Sequence, residues 1–226
     1  MFFFDSTIIL LIPVLILAFY AQSKVKGNYQ KYSRYRNSAN LPGSEIARGI
    51  LDRNGLSDIK IQAVKGTLTD HYDPRKRVVS LSEDVYHGTT ISSAAISAHE
   101  VGHAIQHATK YAPLALRATI LPVAQIGTSA AFPLFIAGLL FSIPMLMDIG
   151  IIFFAGALLF HVVTLPVEFN ASQLAYAELS KGIIHSEQET QGVKAVLNAA
   201  ALTYIAATLM ALVNLIRLIM IRGSRN

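Results

Sequence analysis

Residues 90–108 read TISSAAISAHEVGHAIQHA, a run of small and apolar residues without proline. Thr89 or Thr90 can cap its start by accepting a backbone N–H of the first turn, so the run predicts a helix over about 90–108. His99 and His103 lie four residues apart on this helix. Residues at that spacing share one face of a helix, so both imidazoles can bind a single metal ion.

Glu100 completes the pattern His-Glu-x-x-His, which is typical of zinc hydrolases. A carboxylate beside the first histidine can take a proton from a water that zinc has made more acidic. Gly102 has no side chain, so another element can pack closely behind the ion, at a helix cost of about 1 kcal/mol relative to alanine. The motif therefore predicts a Zn2+ site with His99 and His103 as ligands and Glu100 as the catalytic general base.

A catalytic zinc site needs a third protein ligand and one open position. The continuation found in metzincins would place a histidine at position 109, where this chain has Thr109. His107 lies near the same face, but a rigid helix cannot readily bring residues 99, 103 and 107 onto one tetrahedral ion. We therefore expect the third ligand outside this helix.

Glu168 is the candidate third ligand, in the segment LPVEFNAS at 165–172. Pro166 can begin a new helix where the third apolar stretch ends, which would place Glu168 in the first turn. The carboxylate can bind the metal there, or it can merely complement the positive end of the helix dipole. The chemistry alone leaves both interpretations open.

The composition is that of a membrane protein. Hydrophobic residues make up 53% of the chain and charged residues 15%, against roughly 25% charged in soluble domains. Cysteine is absent, which excludes disulfides, a thiol nucleophile and a cysteine-ligated metal. The first apolar stretch follows no basic residue, so we expect a retained anchor. Four stretches are long enough to cross a bilayer, which takes about 20 helical residues: 2–21, 118–141, 146–165 and 199–221.

These features predict a mostly α membrane protein with about four transmembrane helices and a small α+β zincin-like domain. The polar parts of the chain carry the motif and the candidate third ligand. The predicted parts are a transmembrane anchor at 1–22, the zincin-like catalytic domain at 23–111, a transmembrane hairpin at 112–165, a polar segment with Glu168 at 166–194, and a C-terminal transmembrane helix with a basic tail at 195–226.

The formal net charge of +5 has a simple origin in basic residues that follow the first apolar stretch. By the positive-inside rule they place the 23–111 domain in the cytoplasm and require no nucleic-acid partner. Four full crossings would leave Arg222 and Arg225 on the outer side, contrary to the same rule. The cluster consists of Lys24, Lys26, Lys31, Arg34 and Arg36.

Several motifs follow one another in a recognisable order. After the basic stretch come DHYDP at 70–74, VSLS at 79–82, HEVGHAIQ at 99–106 and LPVEFNAS at 165–172. Over essentially its whole length the chain resembles the neutral zinc metallopeptidases of bacterial membranes, the YugP-like family. It is more distantly similar to the gluzincin membrane proteases of the HtpX and CAAX-protease type, which combine His-Glu-x-x-His with a glutamate in Glu-Phe-x-Ala-Asp.

This resemblance implies a cell-membrane endopeptidase that acts on protein or peptide substrates, with Glu168 as the third zinc ligand. One position departs from the HtpX-like pattern. Ser172 stands where that pattern has an aspartate. A carboxylate that holds a ligand histidine therefore cannot be assumed, and another group must do so.

Other residues have two interpretations each. A strand at 78–81 is either an exposed edge that holds substrate by strand addition or an ordinary internal strand. His71, Tyr72 and His185 are either hydrogen-bond donors to the reaction oxyanion or surface residues. His161 lies inside the third apolar stretch, where an ionisable group hints at function.

Three other functions compete with the peptidase. A catalytically inactive zinc-binding scaffold would have no need of Glu100. Intramembrane cleavage requires the motif within a span, but residues 88–111 contain several polar side chains. A transporter predicts ionisable groups facing one another at mid-membrane, and Asp148 and His161 are too few. A homo-oligomer or a membrane-protein partner stays open.

Overall fold

The computed structural model describes residues 6–224, so residues 2–5 of the first predicted span and Arg225 lie outside it. A short 3-10 helix at Ser6–Leu10 precedes seven α-helices and three strands. These are α1 Leu11–Tyr32, α2 Gly43–Arg53, β1 Lys60–Val64, β2 His71–Asp73, β3 Val78–Ser82, α3 Glu83–His87, α4 Ile91–Ala108, α5 Ala112–Leu140, α6 Pro144–Leu179 and α7 Glu187–Gly223.

Within residues 6–224, four helices are long and apolar enough to cross a membrane. Large apolar side chains such as Phe19 and Ile152 are exposed on them, at 70% and 67%, as expected for surfaces in contact with lipid. The predicted fold class is confirmed: the chain is a mostly helical, multi-pass membrane protein with a small mixed sheet. The four helical stretches are Thr7–Tyr32, Ala112–Leu140, Pro144–Leu179 and Glu187–Gly223.

One prediction about these helices was wrong. Pro166 does not begin a new helix, because α6 continues through it from Pro144 to Leu179. Proline has a φ angle that suits a helix and removes a single N–H donor, and such a loss is tolerated in membrane helices. Glu168 therefore lies inside a long helix and not in a first turn.

The chain forms two compact units. The apolar unit comprises Met1–Ala21, Ala115–Pro166 and Thr203–Asn226, and the site unit comprises Gln22–Leu114 and Val167–Leu202. Within the apolar unit, Gly127 and Gly150 let α5 and α6 approach at the main chain of Phe153 and Ala131. Arg222 donates to Asp148 at 2.8 Å in the same unit.

The sheet of the site unit has the order β1-β3-β2. β1 pairs with β3 in parallel, and β2 pairs with β3 antiparallel. All five residues of β3 are buried. The interpretation of residues 78–81 as an exposed edge was therefore wrong, since the strands before β3 pair with both of its sides. β2 pairs with no second strand among residues 6–224.

Candidate metal centre

Helix α4 carries the predicted motif on a partly buried face. The Thr90 side chain accepts the backbone N–H of Ser93 and caps the helix start, which confirms one of the two expected caps. Small and apolar residues such as Val101 and Ala104 are fully buried on the packed side. This packing holds α4 in place and leaves His99 and His103 only 12% and 14% exposed.

The structure brings His99, His103 and Glu168 together. Each offers one ligand atom, and these atoms all lie within 4.8 Å of one another. Oε2 of Glu168 lies 3.4 Å from Nε2 of His99 and 3.5 Å from Nε2 of His103. The Glu168 side chain is 4% exposed, so the carboxylate is buried between the two rings.

These distances suit a shared ion better than direct hydrogen bonds. A charge-assisted hydrogen bond is about 2.7–2.9 Å long. Ligand atoms that each lie about 2.1 Å from a tetrahedral zinc ion are about 3.4 Å apart. Two imidazoles and one carboxylate are also a usual donor set for catalytic zinc. The residues present therefore fit a zinc ion.

Glu168 reaches the motif because α4 and α6 approach closely. A Cβ atom at Gly102 would lie 2.6 Å from the carbonyl oxygen of Ala171. Gly102 precedes His103, and Ala171 is less than one turn beyond Glu168. The missing side chain at Gly102 thus allows the two helices to present their ligands to one point, as its position in the motif suggested.

Both histidines have uncharged partners at Nδ1. The ring of His103 bonds to Oε1 of Gln106 at 3.1 Å, and the ring of His99 lies 3.2 Å from the hydroxyl of Ser172. Such contacts orient ligand rings and leave Nε2 to face the metal. Ser172 thus occupies the place where the HtpX-like pattern has an aspartate. Sequence reasoning missed the role of Gln106, although a polar residue on the buried side of an apolar helix was a signal.

Charges around the site act on His103. Burial opposes its protonation, but the adjacent Glu168 carboxylate and the charge of Glu100 outweigh burial and raise the pKa of the His103 imidazole above its ordinary value. The cluster without metal therefore favours a proton among these groups. A metal cation that binds there takes the place of that positive charge.

Asp70 is a second carboxylate near Glu100. Its oxygen accepts the backbone N–H of Ser82 at 2.7 Å and also the Ser82 hydroxyl. Burial raises the pKa of the Asp70 carboxyl, and the charge of Glu100 adds to this effect. Nothing in the sequence linked Asp70 to Glu100, because β2 and α4 meet only through tertiary packing.

The three candidate donors to the oxyanion, Tyr72, His71 and His185, have different hydrogen-bond partners. The hydroxyl of Tyr72, on β2, lies 3.0 Å from Nδ1 of His107, which follows His103 by one turn of α4. His71 instead contacts its own loop, with Nδ1 2.9 Å from the carbonyl oxygen of Thr69. His185 is exposed, and its backbone N–H donates to Glu189. Tyr72 is therefore the candidate donor with a partner on the motif helix.

His161 belongs to the apolar unit and not to the site unit. Its ring packs against that of the neighbouring Phe160, with centroids 6.1 Å apart. His161 is thus a residue of α6 within a candidate membrane span.

Comparisons with known proteins agree with this geometry. The family described as "Putative neutral zinc metallopeptidase" matches residues 7–223. The chain is 50% identical over 215 residues to the "Putative membrane protease YugP" of Bacillus subtilis (strain 168), and the match covers 95% of each chain. No solved structure matches at a significant level. The family match and the identity each cover nearly all of the chain, which therefore belongs to the neutral zinc metallopeptidase family just described.

Proposed function

We propose that the chain is an integral-membrane zinc endopeptidase in which His99, His103 and Glu168 hold the ion and Glu100 is the general base. One observation carries this proposal. Oε2 of Glu168 lies 3.4 and 3.5 Å from the two imidazole nitrogens, close to the ligand spacing around a tetrahedral zinc ion, and all three ligand atoms lie within 4.8 Å of one another. Glu100 lies beside the first of these ligands on the same helix.

The reaction adds water across a peptide bond. When bound, zinc would lower the pKa of a water and polarise the scissile carbonyl. The Glu100 carboxylate takes one proton from the attacking water as oxygen bonds to the carbonyl carbon. Glu100 then gives this proton to the leaving nitrogen as the C–N bond breaks, so the carboxylate ends the cycle ionised.

β2 offers a place for an extended substrate. Its outer edge pairs with no strand among the described residues, and Tyr72 on this strand contacts His107 of the motif helix. A peptide could therefore add to β2 through main-chain hydrogen bonds, with its scissile bond near α4. In this arrangement the Tyr72 hydroxyl donates to the oxyanion, and His107 positions that hydroxyl.

We place the site unit on the cytoplasmic side of a cell membrane. If all four long helices cross, the segment after α1 and the turn between α6 and α7 lie on the same side. The positive-inside rule assigns the cluster that follows the first span to the cytoplasm. Arg222, on the opposite side, is compensated by its ion pair with Asp148. The basic side chains that support this assignment are all exposed: Lys24, Lys26, Lys31, Arg34 and Arg36.

The absence of cysteine allows a direct test of this topology. Single cysteines are introduced at Lys65 and Ser142, whose side chains are both exposed on the surface of the chain. Intact cells are then treated with a maleimide that cannot cross the membrane. We expect labelling of Ser142→Cys only, with Lys65→Cys labelled after lysis. Labelling of Lys65→Cys in intact cells would overturn the cytoplasmic assignment.

The activity is tested by zinc content and casein hydrolysis on detergent-purified wild type, Glu100→Gln and Glu168→Ala. We expect about one zinc per chain in wild type and Glu100→Gln, reduced zinc in Glu168→Ala, and hydrolysis by wild type alone. Equal hydrolysis by Glu100→Gln would remove Glu100 as the base. Zinc binding without hydrolysis of casein or of a panel of unfolded proteins would favour the inactive scaffold.

A further inference from the structure

Gln106 is a buried polar side chain that the reaction itself does not use. It has no exposed surface, and its amide makes three hydrogen bonds. Oε1 accepts from Nδ1 of His103 at 3.1 Å, whereas Nε2 donates to the carbonyl oxygen of Val167 at 2.7 Å and to Oδ1 of Asn170 at 2.9 Å. The Gln106 amide thus joins His103 on α4 to the turn of α6 that carries Glu168.

The bond to Val167 determines which way the amide points. A backbone carbonyl oxygen can only accept, so the NH2 group of Gln106 must face Val167. Its carbonyl oxygen then faces His103, and it too can only accept. Nδ1 of His103 must therefore carry the hydrogen of this bond. In the neutral ring Nε2 is consequently without hydrogen, on the side where Glu168 lies 3.5 Å away.

The same amide holds α6. Val167 comes one residue before Glu168, and Asn170 comes two residues after it. Their bonds to Gln106 therefore set the rotation and height of this turn of α6 relative to His103. A shift of about 1 Å in such a turn is enough to spoil a binding geometry.

We propose that Gln106 is the positioning residue of the metal site: it holds His103 as the Nδ1–H tautomer and fixes the turn of α6 that presents Glu168. The identity of the metal rests on the proposed function. Ser172 acts on His99 in a weaker way, because a hydroxyl can donate or accept and does not select one tautomer. A glutamate at position 106 could still accept from His103, but it would set an oxygen against the carbonyl of Val167.

The first test measures zinc affinity of the full-length chain by chelator competition. We expect Gln106→Met, which keeps the size of the side chain, to weaken zinc binding by about 10- to 100-fold. Gln106→Glu should restore only part of this loss, since it recovers one of the three bonds. The matched control is Gln173→Met, at an exposed glutamine of α6, which should bind zinc as wild type does.

Cobalt(II) in place of zinc gives a second readout, because its visible absorption reports ligand geometry. We expect an altered spectrum in Gln106→Met and an unchanged one in Gln173→Met. Wild-type affinity and spectrum in a folded Gln106→Met would overturn the proposal. Failure of the wild type itself to bind zinc would instead count against the proposed function.

A third measurement needs no substitution at Gln106, so it remains decisive if that variant does not fold. Long-range proton–nitrogen NMR on zinc-loaded, 15N-histidine-labelled wild type reports which ring nitrogen carries hydrogen, with His103→Ala used for assignment. We expect hydrogen on Nδ1 of His103. Coordination through Nδ1 would contradict the inference, even if the site binds zinc tightly.

Discussion

Gly102 lies directly against the main chain of Ala171, so that a Cβ atom at position 102 would come within 2.6 Å of the Ala171 carbonyl oxygen. Real Cβ atoms essentially never approach so closely, and the obstacle is backbone and not a flexible side chain. The contact joins α4 to α6 beside the candidate ligands. The size of the side chain at position 102 therefore controls how near Glu168 can come to His103.

Gly102→Ala should accordingly reduce zinc content, since the added methyl group pushes α6 away from α4. Zinc per chain measured by plasma mass spectrometry checks this. The matched control is Gly49→Ala in α2, where a Cβ atom meets nothing within 4 Å and alanine stabilises the helix by up to about 1 kcal/mol. Full zinc content in Gly102→Ala would show that α6 can retreat without loss of the site.

Ser172→Ala should weaken zinc binding by about 10-fold, at the lower end of what loss of a ligand's hydrogen-bond partner costs. The reason is that the His99 ring loses its contact at 3.2 Å. Ser172→Thr keeps a hydroxyl and should bind zinc nearly as wild type does. Ser180→Ala, at an exposed serine directly after the end of α6, serves as control. Chelator competition that cannot distinguish Ser172→Ala from this control would refute the prediction.

Tyr72→Phe should lower kcat by roughly 100-fold, as expected when one donor to an oxyanion is removed. Zinc content and KM should stay unchanged, because the ring and its packing against His107 remain. Steady-state kinetics on a fluorogenic peptide measures both constants. Tyr86→Phe, which alters a tyrosine beside His87, is the control and should retain activity. A rise in KM alone would point to substrate binding at Tyr72.

Metal removal should destabilise the wild-type fold, because the proposed ion would join α4 to α6. A ligand at 100 times its Kd stabilises the folded state by about 2.7 kcal/mol. We therefore expect a higher Tm when zinc is added back to the metal-stripped chain in detergent. Glu168→Ala should gain much less from the same zinc concentration. An equal gain in that variant would place the stabilising ion elsewhere.

Asp73 should give the turn after β2 a pH-dependent stability. Its carboxylate accepts hydrogen bonds from the backbone N–H groups of Arg75 and Lys76. The bond from Lys76 has the larger effect, and together the two bonds hold the pKa of Asp73 below its ordinary value of 3.8. The native state therefore favours the ionised form. The Asp73 carboxylate therefore contributes its full stabilisation of the folded state above the ordinary pKa of 3.8. This stabilisation is lost as the pH falls through the lowered pKa of the folded state.

The measurement compares thermal unfolding of wild type and Asp73→Asn between pH 7 and pH 3. Wild type should be the more stable at pH 7, and the difference should shrink at the acid end. A difference that grows toward pH 3 would have the wrong sign for this carboxylate.

The fold class could be predicted because it depends on composition and local pattern. Four apolar runs of membrane length and one polar segment need no knowledge of tertiary contacts. Pro166 was misread for a related reason. Its effect on a helix depends on the surroundings, and within a long apolar helix the loss of one N–H does not end α6. Likewise, the alternation at 78–81 indicates a strand but not its neighbours in the sheet.

What the sequence by itself determined is the common face of His99 and His103 with Glu100 beside it, since the period of one helix sets the spacing of residues four apart. Only the tertiary structure decided that Glu168 meets this face, that Gln106 joins His103 to α6, and that Tyr72 reaches His107. These partners are distant in sequence. Their meeting depends on how closely whole elements pack, which at Gly102 is a matter of a single missing methyl group.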